Sequence, residues 1–153
     1  MRAILYAALA ALCLTGCRSA SAPAASTDDF GTLPITLPRR QILRVEPLSK
    51  NPDRDRGLKF RSSLAPDHGA LFVYPRPGTY PLGMFQVQIP LDIIWLDGGH
   101  FIVEMVKNAQ PCPGAAPTEC PVFVGRKLAQ FILEVPAGSI NRYQLEAGQK
   151  LEW

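Results

Sequence analysis

Apolar positions recur with a period of two over several short segments of the chain, a pattern typical of β-strands with one buried face. The clearest alternation lies in residues 84–89, where Phe85, Val87 and Ile89 would share one face and Gln86 and Gln88 the other. Apolar or alternating runs predict further strands at residues 42–47, 69–74, 91–96, 101–106, 131–135 and 150–153. The pattern therefore predicts a mainly β protein.

Turn and cap residues lie between these segments. Asp-Gly-Gly-His at 97–100 predicts a hairpin turn. Asn51 followed by Pro52 predicts one short helix, and Ser139 is predicted to cap another that starts at Ile140. Fifteen prolines and twelve glycines in 153 residues also favour short strands over long helices. We predict a small jelly-roll-like sandwich or barrel with one or two short helices, formed by residues 39–153.

The N-terminus has the pattern of an exported lipoprotein. Arg2 precedes an apolar run at 3–14, which is too short to span a bilayer but has the length of a signal-peptide core. Leu-Thr-Gly-Cys at 14–17 resembles a bacterial lipobox. We expect residues 1–16 to be a signal peptide and Cys17 to carry the lipid anchor, followed by a flexible tether to residue 38, rich in Ala, Ser, Thr and Pro.

The residue after that cysteine bears on location. Arg18 is not the aspartate that typically retains lipoproteins at the inner membrane. We therefore expect the outer membrane, on its periplasmic face, as the location. The alternative is a soluble periplasmic or secreted protein whose signal peptide happens to contain Cys17. The leaflet that the domain faces stays open.

Charge and cysteine content narrow the function classes. Sixteen basic and 13 acidic residues give a net charge of +3, far from the basic excess of a nucleic-acid-binding protein. Once the signal peptide has left and Cys17 is lipidated, Cys112 and Cys120 remain as thiols. In an oxidising periplasm they should form a disulfide that closes a proline-containing loop. A thioredoxin-like site needs two intervening residues and a structural zinc needs four ligands, so both are weaker interpretations.

Several segments, in their order and spacing, resemble the DUF192 family. They are 57–61 (Gly-Leu-Lys-Phe-Arg), 69–73 (Gly-Ala-Leu-Phe-Val), 89–94 (Ile-Pro-Leu-Asp-Ile-Ile), 120–121 (Cys-Pro) and 133–138 (Leu-Glu-Val-Pro-Ala-Gly), and Gly148 before Leu151 resembles the glycine of its closing motif. The resemblance covers about residues 44–153. It implies a small, mainly β domain of a kind that is often exported and has no established activity.

The chain departs from the pattern of that family at three places. Lys59 stands where the family usually has methionine, and Ala70 stands in its Gly-Met-Leu-Phe motif. Residues 83–87 (Gly-Met-Phe-Gln-Val) replace the typical Trp-Met-Lys-Asn-Thr, so Phe85 takes the place of the lysine. If the polar cluster of the family holds a ligand, the corresponding site in this chain is altered or absent.

Two carboxylates and one arginine are the candidate catalytic residues. Asp92 opens an apolar run and, if buried, needs a partner; we expect Arg61 to bind it through two parallel hydrogen bonds. We favour a structural role for such a pair. The functional alternative is that Asp92 acts as a general base and Arg61 binds an anion. Glu134 lies on the face of its strand opposite Phe131, Leu133 and Val135, and with Asp92 or Glu104 could form the carboxylate pair of a glycoside hydrolase. A cross-strand or capping role for Glu134 is the simpler interpretation.

Metal and cofactor motifs are weak. His68 and His100 lie in predicted turns, and a copper site built from them with Met84 and Met105 would have no ligand pair at regular spacing. Arg54-Asp55-Arg56 mixes charges and is more typical of a solvated surface, although lipid head groups or anionic glycans could bind there. No phosphate-binding loop or nucleophile elbow is present, and we predict neither cofactor nor metal.

We therefore expect a membrane-anchored envelope lipoprotein whose domain binds a cell-wall glycan, a peptide or another envelope protein without catalysis. The face with Gln86 and Gln88 is the predicted binding surface. The alternative is a hydrolase or transferase that acts on envelope glycans through Asp92 and Glu134. A structural envelope protein that recognises no small ligand is the third hypothesis. The oligomeric state stays open.

Overall fold

The computed structural model describes residues 31–114 and 116–153. The predicted signal peptide, the lipidated Cys17 and most of the predicted tether lie outside the described residues, so their location in the envelope stays a prediction. Within the described ranges, no helix is both long and apolar enough to cross a membrane.

A six-stranded mixed sheet forms the body of the domain, in the spatial order β1-β2-β3-β8-β5-β6, beside a small sheet of β4 and β7. All neighbouring strands are antiparallel except β2 and β3. The elements are β1 (Leu33–Thr36), β2 (Ile42–Leu48), α1 (Asn51–Arg56), β3 (His68–Gly78), β4 (Pro81–Gly83), β5 (Leu91–Leu96), β6 (Ile102–Ala109), β7 (Val122–Val124), β8 (Ala129–Pro136) and α2 (Ser139–Tyr143). The predicted mainly β class with short helices is confirmed, and the sheet is open.

Each face of the large sheet carries its own hydrophobic core, because successive strand residues point to opposite sides. On the first face, Leu71, Ile94 and Leu133 pack with Ile140 at the start of α2. On the second face, Phe72, Ile93, Trp95 and Ile132 pack with residues from the segments beside β4 and α1. The central strand β5 is buried at all six positions, as its apolar run at residues 93–96 predicts, and the burial includes Asp92.

The sheet begins earlier than the sequence indicated. β1 lies inside the predicted tether and pairs antiparallel with β2, with Leu33 opposite Val45. Ile35 and Leu37 are fully or almost fully buried in the first core. The prolines of this segment hid a four-residue edge strand, since proline is tolerated at edges.

Residues 84–89 do not form the predicted strand. Gln86 takes a left-handed backbone conformation with φ of 61°, and the segment makes only isolated bridges to Cys112. The Phe60 amide donates to the Gln86 carbonyl at 2.9 Å, and the Gln86 amide donates to the Cys112 carbonyl at 2.8 Å. The apparent alternation therefore belongs to a turn fixed by neighbouring loops, and the predicted binding face with Gln86 and Gln88 does not exist as a strand face.

The helix caps and the chain end also differ from expectation. Lys50 and Gly138 occupy the two N-cap positions, and neither makes a side-chain capping bond. The Ser139 hydroxyl instead donates to the Pro136 carbonyl at 2.6 Å. The predicted last strand at 150–153 is limited to two isolated bridges, of Lys150 with Phe101 and of Glu152 with Thr36.

The predicted disulfide between Cys112 and Cys120 is present, with the two Cα atoms 5.7 Å apart. Both the amide and the carbonyl of Cys112 hydrogen-bond the turn at residues 84–89. The disulfide therefore ties the loop that contains residues 117–119 to the segment that borders the second core.

Candidate functional site

A cavity of about 780 Å³ opens on the second face of the large sheet, a volume in the range of small-molecule sites. Its lining comes from α1 and the following turn, from β3, β4 and β8, from the turn at residues 84–89 and from the loop that the disulfide closes. Apolar side chains, among them Leu58, Phe72 and Leu82, form much of its wall. The cavity was not predicted from the sequence.

Glu134 is the buried acid of this cavity. It lies on β8 between Ala70 of β3 and Ile93 of β5, and only 2% of the residue is exposed. Its Oε2 atom is buried and makes no hydrogen bond with any described residue. Burial raises the pKa of Glu134 to about 8, so the carboxyl is mostly protonated at neutral pH. The sequence placed Glu134 correctly on the face opposite Leu133, but not in a cavity.

A close approach of two strands sets the position of that acid. Gly69 of β3 lies against the backbone of β8, where an added Cβ atom would be 2.5 Å from the Glu134 carbonyl oxygen. Only glycine allows this spacing without a shift of one strand. The backbone that carries this carboxyl is therefore held at a close contact between β3 and β8.

Two stacked tyrosines form one side of the cavity. The rings of Tyr74 and Tyr80 lie 3.6 Å apart at an angle of 8°, and the Arg54 guanidinium covers the Tyr74 ring at 5.1 Å. Gly78 lies against the Tyr80 ring. Burial raises the pKa of the Tyr74 hydroxyl, and the nearby Glu134 contributes to the same shift. Arg54, Tyr74 and Tyr80 thus form one stacked column in the lining of the cavity.

Three basic side chains border the mouth. Arg54 ties α1 to β3 by donating to the Val73 carbonyl at 2.8 Å, and it also bonds Asn51 and the Ser49 carbonyl. Among the described residues, no carboxylate pairs with the other two, Arg56 and Lys59. Asp55 is the acidic residue of this mouth. The positive charges outnumber the negative ones, and the mouth favours anions.

Asp92 has a structural position on the first face. Its Oδ1 accepts the Asn108 amide and its Oδ2 accepts the Ile140 amide, both at 2.8 Å. The expected partner Arg61 instead bonds both carboxylate oxygens of Glu46 at 2.5 Å. The predicted pair of Asp92 and Arg61 is therefore wrong, because backbone amides satisfy the buried carboxylate.

The structure does not bring the two candidate catalytic carboxylates together. Asp92 lies opposite Val135 and Glu134 lies opposite Ile93, so the two side chains point to opposite faces of the sheet. Glu104, the other candidate partner, is not part of the cavity lining; it accepts the Arg126 amide at 2.7 Å and the Arg126 Nε at 3.2 Å. These contacts lower the pKa of Glu104 against the opposing effect of its burial.

The four side chains of the copper hypothesis are dispersed. Met84 is fully buried in the second core, and the partly buried Met105 packs against the first. His68 Nδ1 lies 2.9 Å from Asp67, and the His100 ring stacks on Trp153 at 3.6 Å. Within residues 31–114 and 116–153, no group of three or more His, Cys, Asp or Glu side chains could hold a metal ion.

One feature of the sequence could have pointed to this cavity. Glu134 stands inside the apolar run Phe-Ile-Leu-Glu-Val at 131–135, which forms a strand buried from Ile132 to Val135. A carboxyl group in a strand that is covered on both faces needs either a partner or a cavity. The tyrosines and the mouth cations gave no such signal, because they come from separate loops.

Known proteins are similar to this chain in sequence or in structure. A UPF0127 protein of Thermococcus kodakarensis is 28% identical over 102 residues, which are 65% of this chain and 58% of the relative, so the chain spans less than two thirds of that relative's length. The crystal structure of a protein of unknown function from Novosphingobium aromaticivorans matches with a TM-score of 0.73 and 25% identity, over 88% of this chain and 94% of the other. That of a proposed transcription regulator from Sinorhizobium meliloti matches with a TM-score of 0.67 and 26% identity, over 78% and 89%.

A family model matches most of the chain. The model of DUF192, described as an uncharacterized ACR, matches residues 35–153, which include every strand of the large sheet except the first two residues of β1. The resemblance of the sequence motifs is thus confirmed over residues 35–153, and the chain belongs to the DUF192 family.

Proposed function

We propose that this protein is a lipid-anchored envelope protein whose β domain binds a small ligand in the Glu134 cavity without chemical turnover. One observation carries the proposal: Glu134 is buried at a cavity and its Oε2 atom makes no hydrogen bond with a described residue. A buried polar atom without a partner costs stability, and a ligand that supplies the missing hydrogen bond recovers that cost.

The geometry favours binding over the hydrolase hypothesis. Two carboxyl groups on opposite faces of one sheet cannot act on the same glycosidic bond, which requires them on either side of the substrate. Asp92 also has both oxygens occupied by backbone amides. The close contact between Gly69 and the Glu134 backbone holds this strand in place, which suits a preorganised binding site.

Thermal unfolding of the full-length chain, purified from bacterial membranes in detergent, tests the binding function. The panel contains monosaccharides, cell-wall peptides, phospholipid head groups and divalent metals. A ligand of the cavity should raise the unfolding temperature of the native protein, and the rise should disappear in Glu134→Leu. The matched control is Asp53→Asn, a substitution on the exposed first turn of α1. A panel without any Glu134-dependent rise contradicts the proposal.

The anchor is tested separately. Cells that express the wild-type chain or Cys17→Ser are labelled with a fatty-acid analogue and divided into membrane and soluble fractions. We expect label and membrane association for the wild type alone, with Cys13→Ser as the control that keeps both. Equal fractionation of wild type and Cys17→Ser contradicts the lipid anchor.

A further inference from the structure

The lining of the cavity carries information about its ligand. Its floor holds a carboxyl group, its walls are apolar or aromatic, and its mouth is basic. We infer that the cavity binds an acidic sugar, with a neutral hydroxyl or amide of the sugar at Glu134 and its anionic group at Lys59 and Arg56. This inference rests on the proposed binding function and adds the chemical class of the ligand.

The floor selects a neutral hydrogen-bonding group. Neutral Glu134 offers one donor and one acceptor, a combination that matches a hydroxyl or an amide. A ligand carboxylate at this depth would have to be desolvated as well, and no basic side chain of residues 31–114 and 116–153 pairs with Glu134 to compensate. A ligand cation could ionise Glu134, but it would have to pass the three basic side chains at the mouth. A neutral polar group is therefore the favoured partner of this acid.

The mouth selects an anion. Arg56 ends α1 and is exposed, whereas Lys59 is half-buried and lies over the Phe85 ring at 5.9 Å from its centroid. No carboxylate of the described residues pairs with either of them. A half-buried ammonium gains more from a ligand anion than an exposed one, because solvent screens it less. Lys59 should therefore contribute most to recognition of the anion.

The walls fit a ring with polar edges and apolar faces. Leu58, Phe72 and Leu82 offer apolar surface, and the stacked rings of Tyr74 and Tyr80 add aromatic surface. The Tyr80 hydroxyl donates to the Arg76 carbonyl at 2.6 Å and keeps acceptor capacity. A pyranose has C–H surface for the apolar side and hydroxyls for the polar one. About 780 Å³ leaves room for one or two such rings.

The test compares sugars that differ in one group. Isothermal titration of the full-length protein in detergent uses N-acetylmuramic acid, glucuronic acid, N-acetylglucosamine and glucosamine. We expect at least one of the two acids to bind about tenfold more tightly than N-acetylglucosamine, with an affinity that falls as salt increases. N-acetylmuramic acid carries its carboxylate on a lactyl ether and glucuronic acid carries it on the ring. The stronger of the two therefore identifies a peptidoglycan-type or a uronic-acid source.

Variants connect the preference to the named residues. Lys59→Gln should reduce the preference for the acid about five- to tenfold and leave N-acetylglucosamine binding unchanged. Lys127→Gln, an equal change of charge at an exposed position outside the cavity, should alter neither. Glu134→Gln keeps a hydrogen-bonding amide and should retain both sugars, whereas Glu134→Leu should lose both.

Two results overturn the inference. One is equal affinity for the acidic and neutral sugars. The other is an effect of Lys59→Gln no larger than that of Lys127→Gln. If no sugar binds but another ligand of the thermal panel gives a Glu134-dependent rise, the sugar inference fails and the binding function stands. If no ligand gives such a rise, both fail.

Discussion

Lys59 and Phe85 contact each other at the mouth of the cavity, with the Lys59 Nζ 5.9 Å from the centroid of the Phe85 ring. Both positions lie in motifs where the chain departs from the pattern that its resemblance to the family implies. By that pattern methionine would stand at 59 and lysine at 85, where this chain has lysine and phenylalanine. Relative to that pattern, lysine and an apolar residue have exchanged places between positions 59 and 85. The contact would therefore hold one ammonium and one apolar side chain in either arrangement.

This reciprocity predicts the behaviour of an exchange variant. Lys59→Met should reduce binding of the acidic sugar about five- to tenfold, and adding Phe85→Lys should restore most of it, because the ammonium returns from the other side of the contact. Titration of the two single variants and the double variant measures the coupling. If the double variant loses as much affinity for the acidic sugar as the two single variants together, the two positions do not share one cation site.

Glu134 predicts an unusual dependence of stability on pH. Its pKa is raised by burial to about 8 in the folded state, whereas the unfolded carboxyl has an ordinary value near 4.5. Between these values the folded protein binds the extra proton, so the free energy of unfolding falls as pH rises, by on the order of 1 kcal/mol per pH unit. This stability is fully present at pH values below the pKa of the unfolded carboxyl. It is fully lost at pH values above the pKa of the folded carboxyl.

Urea unfolding at pH 5, 6, 7 and 8 checks this slope against Glu134→Gln, which cannot titrate. His100 acts in the opposite direction, because burial and Lys150 lower its pKa and stability linked to it rises with pH. The difference between the wild type and Glu134→Gln isolates the carboxyl. Parallel pH profiles for the two proteins would show that Glu134 does not titrate in this range.

Asp92 should contribute to stability through its two hydrogen bonds to backbone amides. Asp92→Ala leaves the buried amides of Asn108 and Ile140 without their acceptor, and we expect a loss of about 3 kcal/mol of unfolding free energy. Asp92→Asn keeps one acceptor oxygen and should lose less, while the exposed Asp53→Ala should lose under about 1 kcal/mol. The measurement is urea unfolding at pH 7. A loss for Asp92→Ala no larger than that for Asp53→Ala would remove its structural role.

The disulfide should stabilise both the domain and the cavity border. In the chain-entropy model, the closed loop of Cys112–Cys120 contributes about 2–3 kcal/mol, so the double variant Cys112→Ser/Cys120→Ser should lose about this amount. The backbone amides of Gln86 and Val87 should also exchange their hydrogens faster. The Gln86 amide donates to the Cys112 carbonyl and the Cys112 amide donates to the Val87 carbonyl, so loss of the disulfide should loosen this turn. Hydrogen exchange of this variant, with the Ile93 amide in β5 as the internal reference, measures that local effect. Unchanged exchange at Gln86 would contradict the coupling.

Strands that are defined by their own composition could be predicted from the sequence. The buried run at Leu91–Leu96 and the turn at residues 97–100 were placed correctly, since continuous apolar residues and Asp-Gly-Gly determine their structure locally. The Asp97 carboxylate indeed accepts the Gly99 and Phe101 amides at 2.9 Å. The strand predicted at residues 84–89 was wrong, because hydrogen bonds to Phe60 and Cys112, which are distant in sequence, determine the backbone conformation there.

The site could be predicted only in part, for a similar reason. The sequence placed Glu134 on the correct face of β8, because strand periodicity determines orientation. It could not show that the second face carries its own core and a cavity, since Tyr74, Tyr80 and Lys59 come from separate segments. The partners of Asp92 could not be predicted, because they are backbone amides. Almost every residue type has such an amide, so the sequence does not indicate which ones bind the carboxylate.

The order of strands constrains when this domain can assemble. β8 fills the middle of the sheet between β3 and β5, although it is the last strand to be synthesised. Until residue 136 is available, the ladder of β1, β2 and β3 and the hairpin of β5 and β6 have no common partner, and the Glu134 cavity has no floor. The finished sheet is thus a late event, which would suit the export that we propose, and loss of the last 25 residues should be fatal to the whole sheet.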